Sequence, residues 1–340
     1  MRLFNVMNKI QKILIIRFSS IGDIVLTTPL LRAIKKERPE IEIHFLVKRE
    51  FYPVVEYNPN IDKVHKYRGD LRDTIESLHA EKFDFIVDLQ NNIRSHKIKR
   101  RLGVKSAKVN KLNIKKWLYV NFKINKLPDR HIVDRYFETL STLGVKNDFK
   151  GLEVFSEPNA DKIFEKLEGF EKKNYVVVAT GAAHYTKQVP SKILIEILNK
   201  VNKPVIFTGG SGDIPKAKKI IKKLTCPTFN ACGLCSIGQT SEIVKYSKVV
   251  ITPDTGVMHI AAAHYRPTVS VWGNTVPAFG MYPYMPQNQS LYYIAEVNNL
   301  KCRPCSKIGY KKCPKKHFNC MKNQDIDKIV DKIERFWQLE

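Results

Sequence analysis

Residues able to do chemistry gather in short segments that follow β-branched apolar runs of this chain. The first is Arg17-Phe18-Ser19-Ser20-Ile21-Gly22-Asp23. A carboxylate held at the rim of a sheet can take a proton from an incoming hydroxyl. It can also cap the following helix by accepting from free N–H groups, with Ser20 and Gly22 shaping a tight turn. The residue types admit both roles, and the loop lacks the G-x-G-x-x-G of a dinucleotide fingerprint. The second segment is Pro253-Asp254-Thr255-Gly256, running on to His259. Asp254 and Thr255 can cap a helix whose N–H groups and positive dipole end suit a diphosphate. His259 falls inside that helix, as a ligand contact or as a buried structural histidine. The third is Thr180-Gly181 through Thr186-Lys187, ahead of Pro190. Lys187 can meet a phosphate as a point charge or stand in solvent with no task. In Gly209-Gly210-Ser211-Gly212-Asp213 the glycines permit close backbone approach, and Asp213 can accept from a ribose hydroxyl or close a plain turn. A single Asp-Thr-Gly in an α/β pattern excludes an aspartic protease, which needs two such carboxylates on an all-β scaffold.

Near the C-terminal end, Cys302, Cys305, Cys313 and Cys320 are spaced C-x₂-C-x₇-C-x₆-C. Such spacing can hold structural zinc, with His317 as a substitute ligand. Cys226, Cys232 and Cys235 form no complete ligand set. Met1 to Lys12 has no signal-peptide apolar region, and no run approaches the roughly 20 apolar residues of a membrane span. A cytosolic chain is expected, with its seven cysteines as thiols or metal ligands. Fifty-eight Lys+Arg against 33 Asp+Glu leave a net charge of +25, so a polyanionic partner is the first expectation: nucleic acid, anionic membrane or phosphorylated glycolipid. Arg94–Lys126 holds 12 Lys/Arg and Lys301–Lys322 holds eight, neither with an acid. Within the first block, Lys115, Lys116 and Trp117 lead into Tyr119 and Phe122, a mixture suited to a membrane interface, to phosphates or to RNA.

These residues need elements to position them. With 340 residues and 43% apolar content the chain supports two cores. Short β-branched runs alternate with helical patterns in both halves, which predicts an α/β chain with two Rossmann-like parallel sheets. Strands are expected at Lys12–Arg17, Ile41–Val47, Phe83–Leu89, Tyr175–Ala179, Val205–Thr208, Val249–Thr252 and Thr268–Trp272. Helices are expected at Ile24–Lys36, Leu71–His79, Val133–Leu143, Lys192–Asn199, Ile214–Leu224 and Val257–His264. The expected domains are 1–165 and 170–322, with a terminal segment 323–340 whose helix, Ile326–Trp337, packs at the end or crosses back to the first domain. Ligands should sit outside the carboxyl ends of the strands, where the three segments lie.

The run Lys12-Ile-Leu-Ile-Ile-Arg17 through Asp23 to Pro29 resembles the opening signature of the ADP-heptose:lipopolysaccharide heptosyltransferases, glycosyltransferase family 9. The stretch Pro253 to Ala263, followed by Arg266-Pro267 to Trp272-Gly273 and Thr275, is similar to that family's donor signature. The resemblance spans nearly the whole chain in motif order. It implies a GT-B fold, two Rossmann-like domains facing across a cleft, and inverting transfer of heptose from ADP-heptose to the inner core of lipopolysaccharide. Asp23 would be the general base, with Arg17, Ser19, Ser20 and Gly22 on the acceptor loop. Thr180, Lys187, Asp213, Asp254, Thr255, Gly256 and His259 would bind the donor. In the family a Trp-Pro pair follows the lysine; here Val189 precedes Pro190. Lys115, Lys116 and Trp117 would meet an anionic membrane surface or acceptor phosphates, placing the protein at the cytoplasmic face of the inner membrane. Lys187 and the helix N-terminus supply the positive charge, so no metal or other cofactor is required. A GT-B transferase using another nucleotide-sugar is the alternative within the class. A basic RNA-binding protein on the same scaffold is the alternative outside it. That reading leaves Asp23, Lys187 and Asp254 without a use, and no nucleic-acid partner is expected.

Overall fold

The computed structural model describes residues 10–339. Contacts divide the described residues into two units, those up to 111 with 130–155, and 112–129 with those from 156 onward.

In the first unit, β1 (Lys12–Ile16), β2 (Glu42–Lys48), β3 (Lys63–Tyr67), β4 (Phe85–Asp88) and β5 (Ser106–Lys108) pair in parallel in the order β3-β2-β1-β4-β5. Ile13 to Ile16 of the central strand are fully buried, as a strand covered on both faces requires. The connections contain α1 (Ile21–Val25), α2 (Thr28–Glu37), α3 (Leu71–His79) and α4 (Ile93–Leu102). Sheet order reverses between β1 and β4, so the loop carrying Asp23 leaves the sheet at its switch point, where open α/β sheets take ligands.

The single helix expected over Ile24–Lys36 is two. Thr27 Oγ1 donates to Ile24 O at 2.7 Å and Thr28 Oγ1 to Val25 O at 2.8 Å, while Pro29 has no N–H to continue the ladder. The helix expected over Val133–Leu143 is α6 (Ile132–Phe137) followed by a 3₁₀ turn, Glu138–Leu143; the Thr139 hydroxyl takes the Tyr136 carbonyl at 2.6 Å. The intervening α5 (Asn113–Phe122) groups with the second unit, although its sequence position suggested the first.

The second unit is a six-stranded parallel sheet: β6 (Val176–Ala179), β7 (Val205–Thr208), β8 (Thr228–Asn230), β9 (Val249–Pro253), β10 (Thr268–Trp272) and β11 (Tyr292–Glu296), in the order β11-β10-β9-β6-β7-β8. Its helices are α7 (Ser191–Val201), α8 (Ile214–Ile221), α9 (Ile237–Lys245), α10 (Gly256–Ala263), α11 (Asn319–Lys322) and α12 (Ile326–Trp337). The boundary falls at 155/156 rather than at 165, because Ser156 already bonds α9 through Glu242 at 3.1 Å. α12 does not leave this unit: Ile329, Ile333 and Phe336 sink into the core built by Val176, Ile197, Val249 and Val269. That apolar stripe has its match on the unit's own sheet, which is why the helix stays there.

Truncating Ile333 to Ala empties a fully buried site and should cost about 2–5 kcal/mol, read from denaturant midpoints. Burial, then the charges of Lys245 and Arg266, pushes His264 down to about 4; burial beside His44 does the same to His65. Histidine in an unfolded chain titrates near 6.5. Between those values the unfolded chain binds protons that the folded chain refuses, so stability is full above about pH 6.5 and is lost toward pH 4. The Tm should fall between about pH 7 and about pH 5, and fall less when both histidines are replaced by Gln.

Candidate functional site

Asp23 is the third residue of α1, and the helix starts from Ser20. Of the two roles the sequence admits for Asp23, the capping one takes a different form, with Ser20 as the cap: Asp23 Oδ2 accepts from the Ser20 N–H at 3.2 Å and the Ser20 hydroxyl at 2.9 Å, which locks the start of the helix. Its other oxygen, Oδ1, meets Arg17 Nη2 at 2.6 Å. Arg17 is buried and spends its remaining donors on Ser19 O at 2.9 Å, Leu89 O at 2.7 Å and the Tyr136 hydroxyl at 3.1 Å. Burial works against the guanidinium's charge; Asp23, Tyr136 and Asp88 outweigh it and hold Arg17 above its ordinary range. Burial likewise pushes Tyr136 up to about 12, so the hydroxyl stays neutral. The Ser19–Ser20 peptide is cis, and Gly22 is buried. Asp23 thus presents a carboxylate whose position is set by β1, by the α1 turn and by a buried arginine.

In the second unit the switch point lies between β6 and β9, and it brings Lys187 and Asp254 together. Lys187 Nζ is 2.6 Å from Asp254 Oδ2, which also accepts from Thr275 Oγ1 at 3.0 Å. Thr255 precedes α10, with its hydroxyl 3.1 Å from that of Thr252; Gly256 opens the helix and His259 is buried within it. The sequence reading treated Lys187 and Asp254 as separate contacts, whereas they form one ion pair. Thr180 is buried with its hydroxyl turned inward to Thr208 O at 3.1 Å and Cys232 Sγ at 3.3 Å, so it ties strand ends together.

Asp213 closes the turn after β7 by accepting from the Gly210 N–H at 2.9 Å. Gly209 is glycine because a Cβ there would meet Asp213 Oδ2 at 2.7 Å, and Gly181 is crowded by the same carboxylate. Sequence reasoning missed Lys216. Its Nζ donates to Thr180 O at 2.8 Å beside Asp213, and burial pushes it down to about 8. A lysine four positions before the buried Ile220 of an amphipathic helix gives no advance sign of this.

α5 buries none of its residues; Trp117 is 51% exposed and Phe122 58%. Lys116 Nζ stands 5.2 Å from the Phe279 ring centroid. Among the described residues, His44, His65 and Glu81 are close enough to share an ion. Instead His44 Nδ1 and His65 Nε2 hydrogen-bond each other at 2.9 Å, and Lys63 meets Glu81 at 2.6 Å, so the trio is a satisfied network. No helix among the described residues is long and apolar enough to cross a membrane.

Residues 71–314 match the sequence model of glycosyltransferase family 9 (heptosyltransferase). Lipopolysaccharide heptosyltransferase 1 of Campylobacter coli is 26% identical over 289 residues, 78% of this chain and 84% of that protein. Lipopolysaccharide heptosyltransferase 3 of Escherichia coli is 23% identical over 275 residues, 75% and 81% of the two chains. A family 9 glycosyltransferase structure from Veillonella parvula superposes with a TM-score of 0.76 at 19% identity, covering 96% of this chain and 97% of the other. The E. coli ADP-heptose lipopolysaccharide heptosyltransferase II structure gives 0.73 at 16% identity, covering 96% and 98%. These superpositions show the GT-B fold of two parallel-sheet α/β domains.

Gly273 tests how the ion pair is positioned. A Cβ there would meet Thr186 O at 2.6 Å and Met321 Cε at 2.7 Å, against the turn that carries Lys187. Gly273→Ala should cost about 1–3 kcal/mol of stability by chemical denaturation, the cost of overpacking.

Proposed function

Starting from a chain that belongs to glycosyltransferase family 9, we propose that it moves heptose from ADP-heptose to the inner core of lipopolysaccharide with inversion, using Asp23 as general base. The names of the sequence relatives support the substrate class, and the observation that carries the residue assignment is the Arg17–Asp23–Ser20 constellation at the β1 switch point. The buried Arg17 compensates the charge of Asp23, so the residue meets an acceptor as a carboxylate rather than as an acid. An acceptor O–H gives its proton to Asp23 as the oxygen attacks the anomeric carbon. The bond from that carbon to the diphosphate breaks, and ADP leaves with the electron pair; one displacement inverts the centre. Lys187 and the N–H groups opening α10 answer the charge that grows on the diphosphate. Asp254 fixes Lys187 through Oδ2 and orients Thr275, and Asp213 with Lys216 serves the nucleoside end. This chemistry calls on no metal ion.

The exposed aromatic and basic residues of α5 fit an anionic bilayer surface: Trp117 and Phe122 enter the interface while Lys115 and Lys116 meet headgroup or acceptor phosphates.

Asp23→Asn should lower the transfer rate by about 10²–10⁴-fold while calorimetry shows donor affinity unchanged. An active Asn variant would return Asp23 to a purely structural role in the turn. A donor series of ADP-heptose, UDP- and GDP-sugars and a short RNA should show ADP-heptose binding tightest; RNA binding alone would overturn the reading. Reversing Lys115 and Lys116 to Glu should weaken cosedimentation with anionic vesicles, and unchanged binding removes α5 from the membrane assignment.

A further inference from the structure

Residues 297–318, between β11 and α11, contain neither helix nor strand. So long an irregular segment inside a packed α/β unit needs an anchor of another kind. Part of it is Arg303, whose Nε donates to Gly273 O at 2.6 Å and whose Nη2 donates to Thr275 O at 2.9 Å while pairing with Glu296 at 2.6 Å. The rest is unusual. Cys302, Cys305, Cys313 and Cys320 all line one small cavity, together with His317 and Asn274. All four cysteines are free of disulfides. Asn274 is only 1% exposed, and neither Oδ1 nor Nδ2 has a hydrogen-bond partner.

We propose that Cys302, Cys305, Cys313 and Cys320 bind one tetrahedral, thiolate-favouring metal ion, zinc or iron, as a structural centre. Four sulfurs from C-x₂-C and two later cysteines are a closed donor set with no open position for substrate. His317 stands outside that set. Its Nδ1 accepts from the Asn319 N–H at 3.0 Å, so the neutral ring carries its proton on Nε2, which faces Cys302 Sγ at 3.8 Å. It donates to a sulfur rather than ligating, the usual task of a group around a thiolate centre, and Asn274, whose amide lines the same cavity without a partner, is a second donor within that cavity. Among the described residues no three of these groups lie within 4.8 Å of one another, so the ion draws the thiols inward about their Cα–Cβ bonds. Charge supplies a second argument. Four thiolates around a divalent ion carry a formal double negative charge, and Lys301–Lys322 offers eight Lys/Arg and no acid. The cationic block is then the counter-charge of the centre.

The clipped segment bears on the Lys187 turn, because Thr186 N–H donates to Tyr310 O at 3.2 Å and Tyr310 N–H to Thr186 Oγ1 at 2.8 Å. The metal claim itself does not depend on which donor sugar is used. Full-length protein purified without chelator should contain about one equivalent of zinc or iron by elemental analysis. Replacing the ion by Co²⁺ should give thiolate-to-cobalt charge-transfer absorption, and a mercurial should release the metal as the thiols react. Cys305→Ser/Cys313→Ser should lose the ion, while Cys226→Ser keeps it. Should the double variant fail to fold, the cobalt spectrum and mercurial release on the unaltered chain decide the matter. Metal-free protein with four reactive thiols, or with these cysteines paired as disulfides, overturns the proposal.

Discussion

Two parallel strands that lie side by side yet send their chains in opposite directions leave a gap at their carboxyl ends that no crossover helix fills. The functional geometry depends on that gap. In the second unit it lies between β6 and β9, and it sets a lysine on one loop 2.6 Å from an aspartate on the other. In the first unit it lies between β1 and β4, and Arg17 reaches across it from the end of β1 to the Leu89 carbonyl beyond β4 while holding Asp23. Hydrophobic burial makes the sheets; the reversal of winding makes the places where charge can be kept.

Charge in those places is costly unless it is paired, and the pairing chosen is informative. Arg17 is surrounded by acceptors and keeps its proton against burial. Lys216 has a carbonyl and a neighbouring aspartate, and burial prevails, bringing it down to about 8. One cation is locked as a strut, and the other is held by a backbone carbonyl beside Asp213. Asp254 shows a third arrangement, with Lys187 and Thr275 both meeting the same oxygen, Oδ2.

Small residues around these charges follow from the same crowding. Gly209 and Gly181 lie under the Asp213 carboxylate, and Gly273 lies under the turn that ends in Lys187. A side chain at any of them would occupy space already filled by a charged group or by the backbone that positions one. Support beneath that turn comes from the irregular chain after β11, tied in by Arg303 and Tyr310, so the order of that segment bears on the order of the ion pair.

Periodicity and residue type alone determined the class of this protein. Continuous β-branched runs as short as Ile13–Ile16 and Val176–Val178 read as strands covered on both faces, and their alternation with helical patterns gives a doubly wound sheet in each half. The loops carrying Asp23, Lys187 and Asp254 were legible for the same reason, since chemistry-bearing residues directly after such runs fall at the ligand end of the sheet. Strands β3, β5, β8 and β11 escaped because they are short or lie at sheet edges, where burial leaves little pattern. Tertiary structure alone decided that Ser20 rather than Asp23 starts α1, that Lys187 and Asp254 are partners, and that α5 and α12 belong to the second unit. It also recruited Lys216. Each of these turns on distances between residues far apart in the chain or on competition for a single hydrogen-bond acceptor. Such outcomes are settled by packing, and local sequence carries no record of them.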